Sequence, residues 1–288
     1  MNANENITNV QNIDSLDIQS RLMTIAEFNS IENLPHPFVY SITSNKLIKS
    51  KYPVELVYFG ANHSTDIKDP QYSILTHVWK KFIGNKNPKD CLCLLSGGTE
   101  YQTNYSYKEA IREHCECGFV AKLAKDNNIQ LENAEPNMAE VSKELEKQFT
   151  RDQIEYYYFA QVVSQWNRFQ EEDKPDFTYY IEGFLTQDKQ YSGWIDYDFS
   201  LTHMKQIHKD IFNIKLNSED TNFFDSISNP YSNKSIINQV GRQQNVLRDE
   251  SIVRNILKYI NLGKNLFVVF GSAHAITQKK CLEYLLSI

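Results

Sequence analysis

The sequence contains no apolar run near the roughly 18 residues that a membrane-spanning helix requires, so no transmembrane segment is expected. Basic charge is not in excess: 30 lysines and arginines stand against 36 aspartates and glutamates, for a net charge of −6. Such a balance advertises no surface for nucleic acid or an anionic membrane. Glycine (10) and proline (8) are sparse and aromatics make up 12 %, a composition opposed to disorder. Five cysteines in 288 residues are an odd count that does not read as a disulfide framework. The first residues are rich in asparagine and acidic side chains and lack a basic-then-apolar signal pattern. The expectation is therefore a cytoplasmic protein, with export by another route left open. No glycine-rich phosphate loop, Gly-x-Ser-x-Gly elbow or His-Glu-x-x-His helix occurs.

What is present is a pattern written twice. Leu56-Val57-Tyr58-Phe59-Gly60-Ala61-Asn62-His63 is an apolar run, a glycine, two small or polar residues and a histidine; Leu266 to His274 repeats it around Gly271. A short apolar run bounded by glycine reads as a buried strand. Open α/β sheets bind ligands at the carboxyl ends of their strands, where both histidines would stand. A lone histidine after a strand is more often a hydrogen-bonded structural residue. Two copies suggest imidazoles converging on one pocket.

Between them the chain reads as α/β. Phe38 to Ile42 alternates like an early strand. Asp69-Pro70-Gln71 starts a helix whose Ile74, Leu75, Val78, Trp79 and Phe82 share a face, and Gly84-Asn85 ends it. Cys91 to Leu95 is a second buried strand, ending at Ser96-Gly97-Gly98-Thr99-Glu100. Strand, helix and strand favour a parallel sheet. Ser106 to Asn127 is helical in pattern, and Ile129 to Leu131 leads to a strand end at Glu135-Pro136. Residues 137–216 read as a mostly helical cap inserted into one α/β domain spanning 20–288, after a flexible arm over 1–19. In that cap Tyr156-Tyr157-Tyr158-Phe159 reads as packing. Residues 217–246 read as polar and irregular, with Arg248-Asp249-Glu250-Ser251 opening the last long helix and Gly263 stopping it.

His63, Glu100, Glu135, Arg248 and His274 would thus sit near strand ends or helix starts, with Glu113 and Glu116 on the helix after Gly98. Two histidines with carboxylates suit a divalent transition metal such as zinc, manganese or cobalt, with His63, His274 and Glu135 as its ligands. The same groups could work with no cofactor. One histidine would then be a general base on water, a carboxylate its orienter, and Arg248 the partner of developing negative charge. Ser96, Glu100 and Asn62 are candidate substrate contacts. Arg248-Asp249 also reads as an exposed charge pair, and His114 as surface. Cys91-x-Cys93 and Cys115-x-Cys117 lack the usual two-residue zinc spacing and read more simply as small buried residues.

Taken together, Gly60-x-x-His63, the acidic Glu135-Pro136 strand end, Arg248-Asp249 and Gly271-x-x-His274 resemble the superfamily of erythromycin esterase, TraB/GumN-type proteins, TIKI peptidases and ChaN haem-binding proteins. Glu116-Cys117-Gly118-Phe119 and Leu123-Ala124 match a further segment of its bacterial members. The resemblance runs from about Phe38 to the carboxyl terminus. It implies a parallel sheet, a pocket shared by both Gly-x-x-His motifs, and His63, Glu116, Glu135, Arg248 and His274 as site residues. One position departs: members often carry glutamate where Ser96 stands, with Glu100 four residues on. The superfamily includes metal-dependent peptidases, metal-independent esterases and haem binders. The resemblance therefore implies a hydrolase of a peptide, ester or lactone in a small-molecule or peptide substrate. The alternatives are a haem or iron protein with a histidine axial ligand, or a non-catalytic member.

Overall fold

The structure, a computed structural model, describes residues 15–44, 53–96, 101, 104–169, 172 and 174–287. Most of the arm expected over 1–19 lies outside the described residues, as do Gly97, Gly98, Thr99 and Glu100. The strands are β1 (Phe38–Ser44), β2 (Val54–Ala61), β3 (Cys91–Leu95), β4 (Gln130–Asn133) and β5 (Asn265–Gly271). Helices α1 (Ser15–Gln19), α2 (Ile25–Asn29), α3 (Pro70–Ile83), α4 (Tyr107–Asp126), α5 (Met138–Leu145) and α6 (Arg151–Asn167) come first. They are followed by α7 (Phe177–Tyr191), α8 (Leu201–Phe212), α9 (Thr221–Ser228), α10 (Ile236–Asn261) and α11 (Ser272–Ser287). Among the described residues, no helix is long and apolar enough to cross a membrane.

The chain divides into two compact units, Met1–Glu135 with Arg248–Ile288, and Pro136–Leu247. The first holds one five-stranded sheet in the order β1-β2-β5-β3-β4. Only β1 pairs antiparallel; the other three pairings are parallel. The α/β class with a mainly parallel sheet read from the sequence is thus the observed one. β5 lies between β2 and β3, and Leu266 to Phe270 are buried along its length. That position explains its unbroken apolar run, because a central parallel strand is covered on both faces.

Local chemistry sets the helix starts. Asp69 accepts the backbone N–H of Gln71 and Pro70 occupies the first turn of α3, where a missing N–H costs nothing. Ser106 and Glu109 form a capping box on α4. β5 passes into α11 without a connecting loop, and Ser272 Oγ lies 2.9 Å and 3.0 Å from the carbonyl oxygens of Gly60 and Ala61. A Cβ at Gly60 would stand 2.7 Å from Ala275 Cβ and 2.9 Å from both Phe38 O and Ser272 Cα. The first Gly-x-x-His glycine is therefore required by contact with the start of α11.

The second unit is helical. Tyr156, Tyr157, Phe159, Ile154, Val163, Met204, Phe224, Ile237 and Val240 form its core, so Tyr156, Tyr157 and Phe159 of the aromatic stripe are packing. Residues 217–246, expected to be irregular, instead carry α9 and the beginning of α10. Asp220 caps α9 by accepting from Phe223 N, and burial of Phe224 and Ile227 outweighs the polar composition around them. The long helix consequently begins at Ile236 and not at Arg248.

Replacing Gly60 by alanine should destabilise the protein by about 1–3 kcal/mol, the usual penalty of forcing a methyl group into packed backbone. A lowered urea midpoint is the readout; an unchanged midpoint would mean that β2 and α11 do not pack this closely.

Candidate active site

The parallel register of β2 on β5 sets Gly60 beside Phe270 and Ala61 beside Gly271. Both motif histidines follow within three residues. A Cβ built on Gly271 would lie 3.6 Å from His63 Nε2 and 4.0 Å from His274 Cδ2, the ring carbon bonded to Nε2. Each imidazole thus turns the same edge toward one glycine.

The opposite edge of each ring is tied to a carboxylate. His63 Nδ1 is 2.7 Å from Glu116 Oε1, and His274 Nδ1 is 2.7 Å from Asp249 Oδ1. A carboxylate accepts from Nδ1–H, which fixes the tautomer and leaves Nε2 as the working nitrogen. The surroundings of the two pairs differ. The His63 side chain is 71 % exposed over a Glu116 that is buried, whereas His274 is 13 % exposed over a buried Asp249. Asp249 Oδ1 also accepts from Gln278 Nε2 at 2.6 Å, and Gln278 Oε1 accepts from the Tyr58 hydroxyl at 3.0 Å. Both residues are buried.

Glu116 owes its position to a break in α4. His114 (φ −140°, ψ 18°) and Cys115 (φ 49°, ψ −139°) leave helical geometry immediately before it. A positive φ on a residue with a side chain stores strain, commonly of order 1–3 kcal/mol, and such strain collects at functional sites. A Cβ at Gly118 would come within 2.5 Å of Ala110 O and 2.6 Å of His114 Cβ, so only glycine allows the two halves of the kinked helix to touch. Glu116 Oε2 is buried and has no hydrogen-bond partner among the described residues.

Glu135 is held differently. Arg248 grips it with two bonds, Nε to Oε2 at 2.8 Å and Nη2 to Oε1 at 2.5 Å, and Ser96 Oγ donates to Oε1 at 3.0 Å. Burial pushes this carboxyl up, but the bonds and charge of Arg248, the charge of His274 and the bond from Ser96 together hold it below its ordinary 4.5. Ser96 thus has a defined partner in Glu135. Asn62 is exposed, and its backbone is clamped by buried Gln71, which accepts from Asn62 N at 3.1 Å and donates to Asn62 O at 2.6 Å. Glu100 lies outside the described residues. Arg248 and Asp249 sit inside α10, and the Asp249 side chain is buried rather than part of an exposed pair.

Among the described residues, no group of three or more histidine, cysteine, aspartate or glutamate side chains is arranged to hold a metal ion. Of the expected ligands His63, His274 and Glu135, the last has both carboxylate oxygens bonded to Arg248 and one also to Ser96. Sequence reasoning did not single out Asp249, Gln278, Ser272, Tyr58 or Gln71 as contributors. His274 and Gln278 do carry a signal, since a spacing of four places them on one helical face. Nothing in the sequence marks Gln71 beyond its place at the start of a helix. Compared with family models, curated proteins and solved structures, the chain matches none.

A carboxyl depressed on folding contributes stability above its ordinary range and loses it as pH falls through the lowered folded value. Acidification below about pH 4.5 should therefore destabilise the protein in part through Glu135, and Glu135→Gln should show a shallower fall of unfolding free energy over that window. Removing the arginine as Arg248→Met strands a mostly buried carboxylate and should cost about 3 kcal/mol at neutral pH, measured by urea unfolding.

Proposed function

We propose that the protein is a hydrolase of an ester, lactone or peptide carbonyl that works without a metal. The observation that carries this reading is the pair of imidazoles, each anchored through Nδ1 on a carboxylate, with their Nε2 edges closing on Gly271. His63 is the exposed member of the pair and the one that reaches water. In this reading His63 Nε2 takes a proton from a water molecule as that water attacks the substrate carbonyl. Glu116, against Nδ1–H, stabilises the imidazolium as it forms. His274, once protonated, donates from Nε2 to the developing oxyanion or the leaving-group oxygen (nitrogen for a peptide), with Asp249 and Gln278 holding the ring in place. Arg248 and Glu135 neutralise each other, and their role is to shape and polarise the floor beside His274 rather than to deliver a free cation to substrate.

The reading makes Gly271 a position where bulk is excluded for function. Its Cβ would meet both rings only at ordinary van der Waals distance, so a larger side chain fills the reacting space without breaking the fold. With a panel of activated esters, lactones and peptides, His63→Ala and His274→Ala should each lower kcat/KM by about 10²–10⁴, the range general acid–base groups supply. Gly271→Val should be as inactive while keeping its melting temperature. Activity should survive chelators. Wild-type turnover unchanged by both histidine substitutions would end the proposal, and a Soret band in the purified protein would replace it with haem binding.

A further inference from the structure

The second unit contains an acidic site that the hydrolase reading does not use. Glu155, in α6, is 1 % exposed, and its Oε1 is buried with no hydrogen-bond partner among the described residues. Asp188, in α7, is the second carboxyl beside it. The two carboxyls line a cavity of about 200 Å³ with Ser142 of α5 and the rings of Tyr158, Phe184 and Tyr191. No lysine, arginine or histidine is among the lining residues. Burial raises both carboxyls, and on Glu155 the charge and hydrogen bond of Asp188 add to the rise. No cation among the lining residues offsets the two carboxyls.

A core under selection for stability alone would place an apolar side chain at such a position, because a paired buried acid is neutral at best. The cavity offers room for roughly seven waters at about 30 Å³ each, so its occupant is small. Aromatic walls favour an organic cation, held by ring faces as well as by carboxylates. Hard metal ions instead need a shell of six or more oxygens, and the described residues provide no group of three such side chains.

We propose that this cavity in the helical unit binds a small alkylammonium ligand, a protonated primary amine or diamine, whose ammonium pairs with the carboxylates of Glu155 and Asp188. The amine lies between the two carboxylates and its carbon chain rests on Tyr158, Phe184 and Tyr191. Burial raises both carboxyls, so affinity rises with pH as they ionise. The other titratable groups facing the pair are the phenols of Tyr158 and Tyr191 on the walls and Tyr197, which feels the charge of Glu155.

Titration calorimetry of the full chain with 1,4-diaminobutane and with n-butylammonium tests this at about pH 9 and about pH 5, the higher pH favouring the ionised carboxyls. A saturable one-to-one isotherm is expected at the higher pH, weakened about tenfold or more at the lower. The Glu155→Gln, Asp188→Asn double variant keeps shape and loses charge; it should bind neither amine and melt no lower than the parent. Absence of an isotherm at both pH values overturns the proposal, as does undiminished binding by the double variant. A response to calcium or magnesium but not to either amine also overturns it, and makes the cavity a metal site. The histidine variants of the first unit should bind the diamine normally, so failure here and failure of the hydrolase reading are read separately.

Discussion

The register of one parallel strand pair governs the sheet unit. β2 and β5 are far apart in sequence, yet Ala61 lies beside Gly271 and Gly60 beside Phe270. Side chains alternate along a strand, so a slip of one residue would send every buried side chain to the opposite face. That slip is forbidden by Tyr58, Phe59, Val268 and Val269, all fully buried. Core packing thus fixes the relative height of the two strand ends, and the two histidines inherit that height. Ser272, bridging to the carbonyls of Gly60 and Ala61, ties the ends together where the ladder stops.

Three carboxylates then divide the electrostatic work. Glu135 is matched by Arg248 in a two-bond pair, a geometry whose gain is largest where water is scarce. Asp249 is shared between an imidazole and an amide, so its task is orientation. Glu116 meets the exposed His63 through Oε1, and its Oε2 is buried without a partner among the described residues. The most solvent-accessible ring is therefore coupled to the least solvated carboxylate, the combination in which a forming imidazolium gains most from its neighbour.

Much of the sheet unit was legible because its signals are local and periodic. The apolar runs of β2, β3 and β5, the Asp69-Pro70 helix start and the repeated Gly-x-x-His endings all follow from side-chain period and turn chemistry. The helix containing Arg248 was misplaced because its first turns, from Ile236 on, are polar and the apolar pattern begins only near Ile252; buried Ile237 and Val240 hold them instead. The same cause hid α9, where Phe224 and Ile227 are too few to announce a helix. Asp249 looked like half of a surface pair because burial of a charge is a property of the partner it meets, His274, which lies well along the chain.

The kink in α4 is the feature no periodicity could reveal, and it bears most directly on function. A regular helix through Cys115 would continue the turn with good hydrogen bonds and no strained residue, so the break lowers stability where it occurs. It also leaves a carboxylate oxygen buried and unpartnered, which carries a desolvation cost of its own. The carboxylate so placed meets, at 2.7 Å, the Nδ1 of a ring mostly in solvent. What the kink does achieve is to bring Glu116 Oε1 to 2.7 Å from His63 Nδ1, with Gly118 as the one residue small enough to let Ala110 and His114 close over it. Local instability spent on orienting one imidazole is hard to account for by folding and simple to account for by proton transfer.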